Sequence, residues 1–342
     1  MSNQKLRVPT FLLLLVGAWL LSGVFSLALG ASGISLTDTM QALWAHLAGK
    51  GGEPSQAETI IWQLRLPRGI LALLVGAALA LSGALMQSLF HNPLADPYIA
   101  GVSSGAAFGA VAIGCLGMQS DLFFTSTLME LGALAGALAA AFAVFALARR
   151  AGRVPVGTLL LTGIALSAFL QAITSFMLLR QAPADTHDLL LWLMGSLADA
   201  TWKKVFLLLP VVLIGSFVVY AWRRELDVLA LGDETAHYLG VNTERMRMIL
   251  LALAALLASS AVAAGGIIAF VGLIVPHLLR PLAGSSHRLL LPACFFGGGL
   301  LLLWADVAAR LLITGCEVPI GLVTSVIGGV FFLYLLRGRM AA

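Results

Sequence analysis

The sequence predicts an all-α integral membrane protein with ten transmembrane helices, and three observations carry that expectation. Of the 342 residues 60% are hydrophobic and only 11% charged, against about 25% charged in an ordinary soluble domain. Mean hydropathy is +0.99. The 36 glycines suit spanning helices, where small residues let backbones approach without a hydrophobic force to drive them together. A membrane β-barrel would instead alternate polar and apolar residues in short segments, and this chain does not.

Nine stretches lack Asp, Glu, Lys and Arg: residues 8–37, 69–95, 97–120, 131–148, 154–179, 205–222, 248–279, 289–305 and 318–336. The 248–279 run exceeds one crossing, and Gly265-Gly266 supplies a turn at its middle, so it is divided and the spans become ten. Residues 189–198 are too short to cross, and they predict a helix lying at the interface. With an even count both termini share a side. Of the 20 Lys and Arg, thirteen fall on the termini's side and seven opposite, which predicts N-in, C-in. The first span follows Lys5 and Arg7 like a signal peptide, but its apolar run is longer, so a retained helix is expected. No soluble domain boundary appears. Residues 1–342 are expected to form one transmembrane domain, with the longest inner polar stretch at 223–247.

Composition also excludes function classes. The net charge of +4 comes without a basic cluster, so it reflects membrane orientation rather than nucleic-acid binding. No GxxxxGK[ST] occurs, and Gly49-Lys50 continues into Gly51-Gly52, so ATP is not held by a P-loop and the chain is not expected to be an enzyme. The six histidines include no pair at i, i+3 or i+4, and neither a metal nor a resident cofactor is expected. Cys115, Cys294 and Cys316 stand apart in apolar surroundings, as packing residues do. An ion-coupled carrier keeps ionisable groups at mid-membrane. Here the charges lie at span ends, with Asp306 and Arg310 a favourable i, i+4 pair toward the outer end.

Four segments depart from plain apolar helix. His91-Asn92-Pro93-Leu94-Ala95-Asp96-Pro97 opposes continued helix through its prolines; it reads either as a tight turn or as an inner constriction presenting Asn92 and Leu94. In residues 229–241, Gly232 breaks one short helix, Asp233 caps the next and Gly240 ends it. That segment is either a solvated connector or a docking surface, with Ala236 and Leu239 on a small-residue face. Arg65-Leu66-Pro67-Arg68 either anchors in headgroups or pairs with acidic groups of a partner. Gly163, Ser167, Gln171 and Thr174 recur at helical spacing, as a pathway lining or as packing between helices.

Taken together, Arg65–Arg68, Val75-Gly76-Ala77 through Gln87, Asn92–Pro97, Gly101–Gly105, Trp192–Ser196, Gly232–Val241, Phe270–His277, Ala305–Arg310 and Val318–Gly321 resemble the permease family of type II ABC importers for iron-siderophores, haem and vitamin B12. The resemblance runs in family order from about Trp62 to the C-terminus. It implies a homodimer of ten-helix subunits in the bacterial inner membrane with the pathway at the interface, two cytoplasmic ATPase subunits carrying ATP and Mg, and a soluble binding protein outside. It assigns Gly232, Asp233, Glu234, Ala236, Leu239 and Gly240 to ATPase coupling, Asn92 and Leu94 to the cytoplasmic gate, and Arg65, Arg68 and Arg310 to docking of the binding protein. The implied function is alternating-access import of a metal chelate or vitamin B12. The competing expectation is a secondary transporter driven by an ion gradient, working without partners.

Overall fold

A computed structural model describes residues 2–29, 36–47, 55–117, 122–149, 156–181, 183–284, 286–313 and 317–340. These contain helices and connecting turns, with no strand among the described residues. Among the described residues seven helices are long and apolar enough to cross a bilayer, and three shorter apolar ones, Val102–Leu116, Val271–Ala283 and Ile320–Leu335, accompany them.

The chain opens with α1 (Ser2–Ala28) and α2 (Leu36–Leu47), then α3 (Gln56–Thr59), whose Ser55 cap accepts from the Glu58 N–H. A π-helical stretch, Ile60–Arg65, runs straight into α4 (Leu66–Leu89). Pro67 has no N–H to give to the helical turn before it, and in that turn the Trp62 carbonyl accepts from Trp202 Nε1 at 2.9 Å. α4 is the central column: nearly every residue from Leu71 to Leu89 is buried, and it packs on α9 (Trp202–Ala221), α12 (Thr243–Gly265), α13 (Val271–Ala283) and α14 (His287–Leu311). Around it stand α5 (Val102–Gly117), α6 (Leu122–Ala148), α7 (Val156–Leu179), the short α8 (Pro183–Leu193), α10 (Arg223–Leu229), α11 (Asp233–Tyr238) and α15 (Ile320–Met340).

Glycine sets the closest packings. A Cβ on Gly76 of α4 would fall on the Gly298 carbonyl of α14, and one on Gly83 would fall on the Gly272 carbonyl of α13. Main chains therefore touch there, which gains dispersion contacts that lipid cannot replace.

The expected division of 248–279 is present, with α12 ending at Gly265 and Gly266 at φ +71°. Irregular backbone within a bundle must find protein partners. Tyr98 supplies them: its hydroxyl donates to the Ile268 carbonyl at 2.7 Å and accepts from the Ile268 N–H at 3.2 Å. Phe270, also left-handed at φ +70°, packs its ring against Gly328 of α15.

Several boundaries differ from the expected ones, each for a physical reason. α6 begins nine residues before Leu131, because Glu130 is neutralised by Lys204 at 3.0 Å and does not end the helix. α14 runs through Asp306 and Arg310 to Leu311, since both charges are paired inside the bundle. The short helix anticipated at 189–198 is shifted to Pro183–Leu193, ending before Gly195 at φ +73°. Cys316 lies outside the described residues.

Candidate functional site

The Asn92 loop is built by hydrogen bonds rather than left slack. After α4, His91 takes φ +48°, and the Asn92 N–H donates to the Gln87 carbonyl at 3.2 Å. Asn92 Oδ1 accepts from the Leu94 N–H at 3.0 Å, an Asx turn that fixes the Pro93 corner. Asp96 Oδ1 accepts from the Tyr98 N–H at 2.9 Å and caps the 3₁₀ turn Pro97–Ala100. Asn92 and Leu94 are half-buried.

Burial pushes the Asp96 carboxyl from 3.8 up to about 6, against the hydrogen bond from Tyr98 that favours its charged form. A raised acid pKa in the fold means that this group's contribution to stability is full below its unfolded value and is lost as pH rises through about 6. Asp96→Asn keeps the acceptor and removes the titration. Its melting temperature should therefore gain on wild type between about pH 4 and pH 7, whereas Asp96→Ala should lose about 1 kcal/mol with the cap.

The segment from Arg223 to Val241 forms two short helices, as its glycines predict. Gly232 (φ +106°) precedes α11 and Gly240 (φ +82°) follows it. The Val241 N–H donates to the Ala236 carbonyl and the Gly240 N–H to the His237 carbonyl, both at 3.0 Å, which is the Schellman pattern. Two details correct the sequence reading. The N-cap position is Gly232, and Asp233 is the first helical residue; the Asp233 side chain lies outside the described residues. Ala236 is fully buried, so the small-residue face packs inward. A side chain no larger than methyl lets α11 lie close to its own bundle. Outward stand Glu234, Leu231, Tyr238 and Leu239, the last three 65%, 88% and 60% exposed. Apolar residues this exposed at a polar connector mark a contact surface.

At the opposite end of α4, about 36 Å away for 24 residues, three arginines meet. Arg68 Nε lies 2.9 Å from Asp306 Oδ1 and its Nη1 lies 3.0 Å from Glu317 Oε1. Arg310 Nε is 3.1 Å from Asp306 Oδ2, and its Nη1 donates to the Leu29 carbonyl at 3.0 Å. Arg65 is buried. Its Nη1 donates to the Leu27 carbonyl and, at 3.2 Å, to that of Ala28. A helix leaves its last carbonyls unmatched, and Arg65 and Arg310 satisfy those of α1. Arg65 is thus turned inward rather than toward a docking surface, and Arg68 and Arg310 are engaged within the chain.

The α7 stripe does not act as one surface. Gly163 and Thr174 are buried, Ser167 is half-buried and Gln171 exposed. Ser104 of α5 donates to Ser167 at 3.1 Å, and Thr174 donates to the Leu170 carbonyl at 2.8 Å. In this conformation part of the stripe is packing against α5.

Sequence reading missed the polar groups that join these parts. His91 Nε2 meets the Leu229 carbonyl of α10 at 2.8 Å, and His287 lies between Asp227 and Ser88. Each is a lone residue in sequence, without a spacing that advertises a partner.

A bundle of long apolar helices with irregular backbone held inside it is the architecture of a multi-pass membrane protein. Residues 14–338 match the FecCD transport family, and the chain belongs to that family. It is 46% identical over 288 residues to the cobalamin import system permease protein BtuC of Halobacterium salinarum, covering 84% of this chain and 76% of that one. It is 41% identical to the hemin transport system permease protein HmuU of Yersinia pestis, covering 91% of each. To the iron(3+)-hydroxamate import system permease protein FhuG of Bacillus subtilis it is 39% identical, covering 98% of each. A solved structure of a metal-chelate type ABC transporter in an inward-facing conformation superposes with a TM-score of 0.82 at 32% identity, covering 96% of this chain and 99% of that one.

Proposed function

We propose that this chain is the permease subunit of an ATP-driven importer carrying a metal chelate, haem, ferric siderophore or cobalamin, across the cytoplasmic membrane. The chain has no P-loop, so hydrolysis of ATP with Mg falls to two ATPase subunits docked on α10 and α11. A second copy completes the pathway, and a soluble binding protein delivers cargo to the arginine end, where Arg68 and Arg310 are the docking groups and Arg65 supports them from within. Seven long and three short apolar helices are counted as ten crossings with both termini inside, following the Lys and Arg asymmetry.

The observation that carries this reading is the exposed Tyr238–Leu239 surface on a rigid two-helix connector, tied through the Leu229 carbonyl to the His91–Leu94 loop. Motion at the connector reaches the gate through hydrogen bonds rather than slack chain. ATP supplies the bias by binding one conformation of the partners better than the other. The competing ion-driven carrier would depend on an intramembrane acid such as Asp306, and that carboxylate is engaged by two guanidinium groups.

The double variant Tyr238→Asp/Leu239→Asp tests the docking surface. Both side chains face out, so the permease should fold and purify normally, while its co-purification with the ATPase and its uptake activity fall by at least about tenfold. Full association would remove this surface from the coupling role. Ala236→Arg is a poorer probe, because it would overpack a buried site.

A further inference from the structure

We propose that Asp227, His287 and Ser88 form a latch that makes the coupling helix α10 move as one body with the gate-bearing end of α4. The inference rests on the permease reading above and adds positioning residues to it. Asp227 belongs to α10, His287 opens α14 and Ser88 lies in the last turn of α4. Asp227 Oδ1 accepts from the His287 N–H and faces His287 Nδ1, both at 2.7 Å, while Ser286 Oγ donates to Oδ2 at 3.2 Å. A carboxylate at this point satisfies donors at the N-terminus of α14 and opposes the positive end of its dipole.

His287 is almost wholly buried, and a carboxylate can only accept, so Nδ1 is the protonated nitrogen and Nε2 turns to Ser88 Oγ at 2.7 Å. The ring is therefore fixed at both edges. The order carboxylate, imidazole, hydroxyl is also that of a hydrolytic triad. Ser88, however, is buried inside a packed helix, its single hydroxyl proton going either to Nε2 or to the Ala84 carbonyl 2.8 Å away one turn back, so no acyl substrate reaches it.

The mechanical consequence follows from where the ends lie. Asp227 is two residues from Leu229, whose carbonyl holds His91 at 2.8 Å, so α10 grips both the last turn of α4 and the first residue of the loop beyond it. Displacing α10 without moving α4 would break short bonds in a site where unpaired polar groups are costly. Moving α10, α14 and the inner end of α4 together breaks none. The latch thus selects the concerted motion, and Asn92 and Leu94 follow.

The test uses the permease reconstituted in nanodiscs with the ATPase of its transport system. Leu94→Cys carries a nitroxide, with Cys115, Cys294 and Cys316 replaced by Ser. The readouts are ATP hydrolysis and the change in the spin-label signal on adding ATP and vanadate. His287→Ala should leave ATP hydrolysis within about twofold of wild type but shrink the ATP-dependent signal change by at least about fivefold. His287→Asn, which can still donate to Asp227, should restore much of that change. Ser88→Ala, a small substitution that leaves helix α4 intact, should reduce it as well and covers the case in which His287→Ala does not fold. A full ATP-dependent change in Ser88→Ala and in any folded His287→Ala protein would overturn the latch alone. A wild-type complex whose label ignores ATP would overturn the importer reading, and the latch with it.

Discussion

Asp306→Ala is expected to destabilise the folded permease by about 3–5 kcal/mol, because it leaves two buried guanidinium groups without their shared counter-ion. Asp306 is completely buried, and the side chains of Arg68 and Arg310 are each 12% exposed. Glu317 gives the internal comparison: it also binds Arg68, but 56% of its side chain is exposed, so Glu317→Ala should cost only about 0–1 kcal/mol. Thermal unfolding in detergent separates the two. A further arm, Asp306→Ala/Arg310→Ala, should recover part of the loss, since it removes one of the stranded cations. Equal melting of the Asp306 and Glu317 variants would show that the carboxylate is not the hub of this end of the bundle.

This cluster also marks how far the sequence could be read. The i, i+4 pairing of Asp306 with Arg310 was legible because helical spacing alone places the two side chains together. The bond from Arg68 was not, since it joins positions 238 residues apart in the chain. The same division runs through the molecule. Gly232 and Gly240 flank a helix through local main-chain geometry, so a linear pattern sufficed for them. Which face of α11 turns outward depends on the bundle beneath it, and Ala236 therefore points opposite to expectation. Helix ends at charged residues were misjudged wherever a distant partner neutralised the charge, as Lys204 does for Glu130. The His287 network was invisible for the same reason: Ser88 and His287 are 199 residues apart, and neither has a neighbour in sequence that suggests the contact.

Enlarging Gly83 is expected to be the most damaging small change in the membrane core. A Cβ there would fall on the Gly272 carbonyl, and the obstacle is main chain, which has no rotamer to change. Gly83→Ala should cost about 1–3 kcal/mol and Gly83→Leu more, read as loss of melting temperature and of folded yield. The site is intolerant for a second reason, one turn further along α4. Gly272 would normally pass its carbonyl to the N–H four residues on, but that residue is Pro276, which has none. Gln87 Nε2 lies in its place, 3.4 Å from the Gly272 carbonyl and 3.1 Å from that of Leu273. Pushing α4 away from α13 at Gly83 would draw Gln87 out of reach and leave a buried carbonyl unpaired, at about 1–3 kcal/mol. Gln87→Leu isolates that second part, since it removes the donor without forcing the helices apart. If Gly83→Ala melts no lower than Gln87→Leu, the main-chain contact between α4 and α13 is not the tight one described, and the two helices have room to slide just before the Asn92 loop.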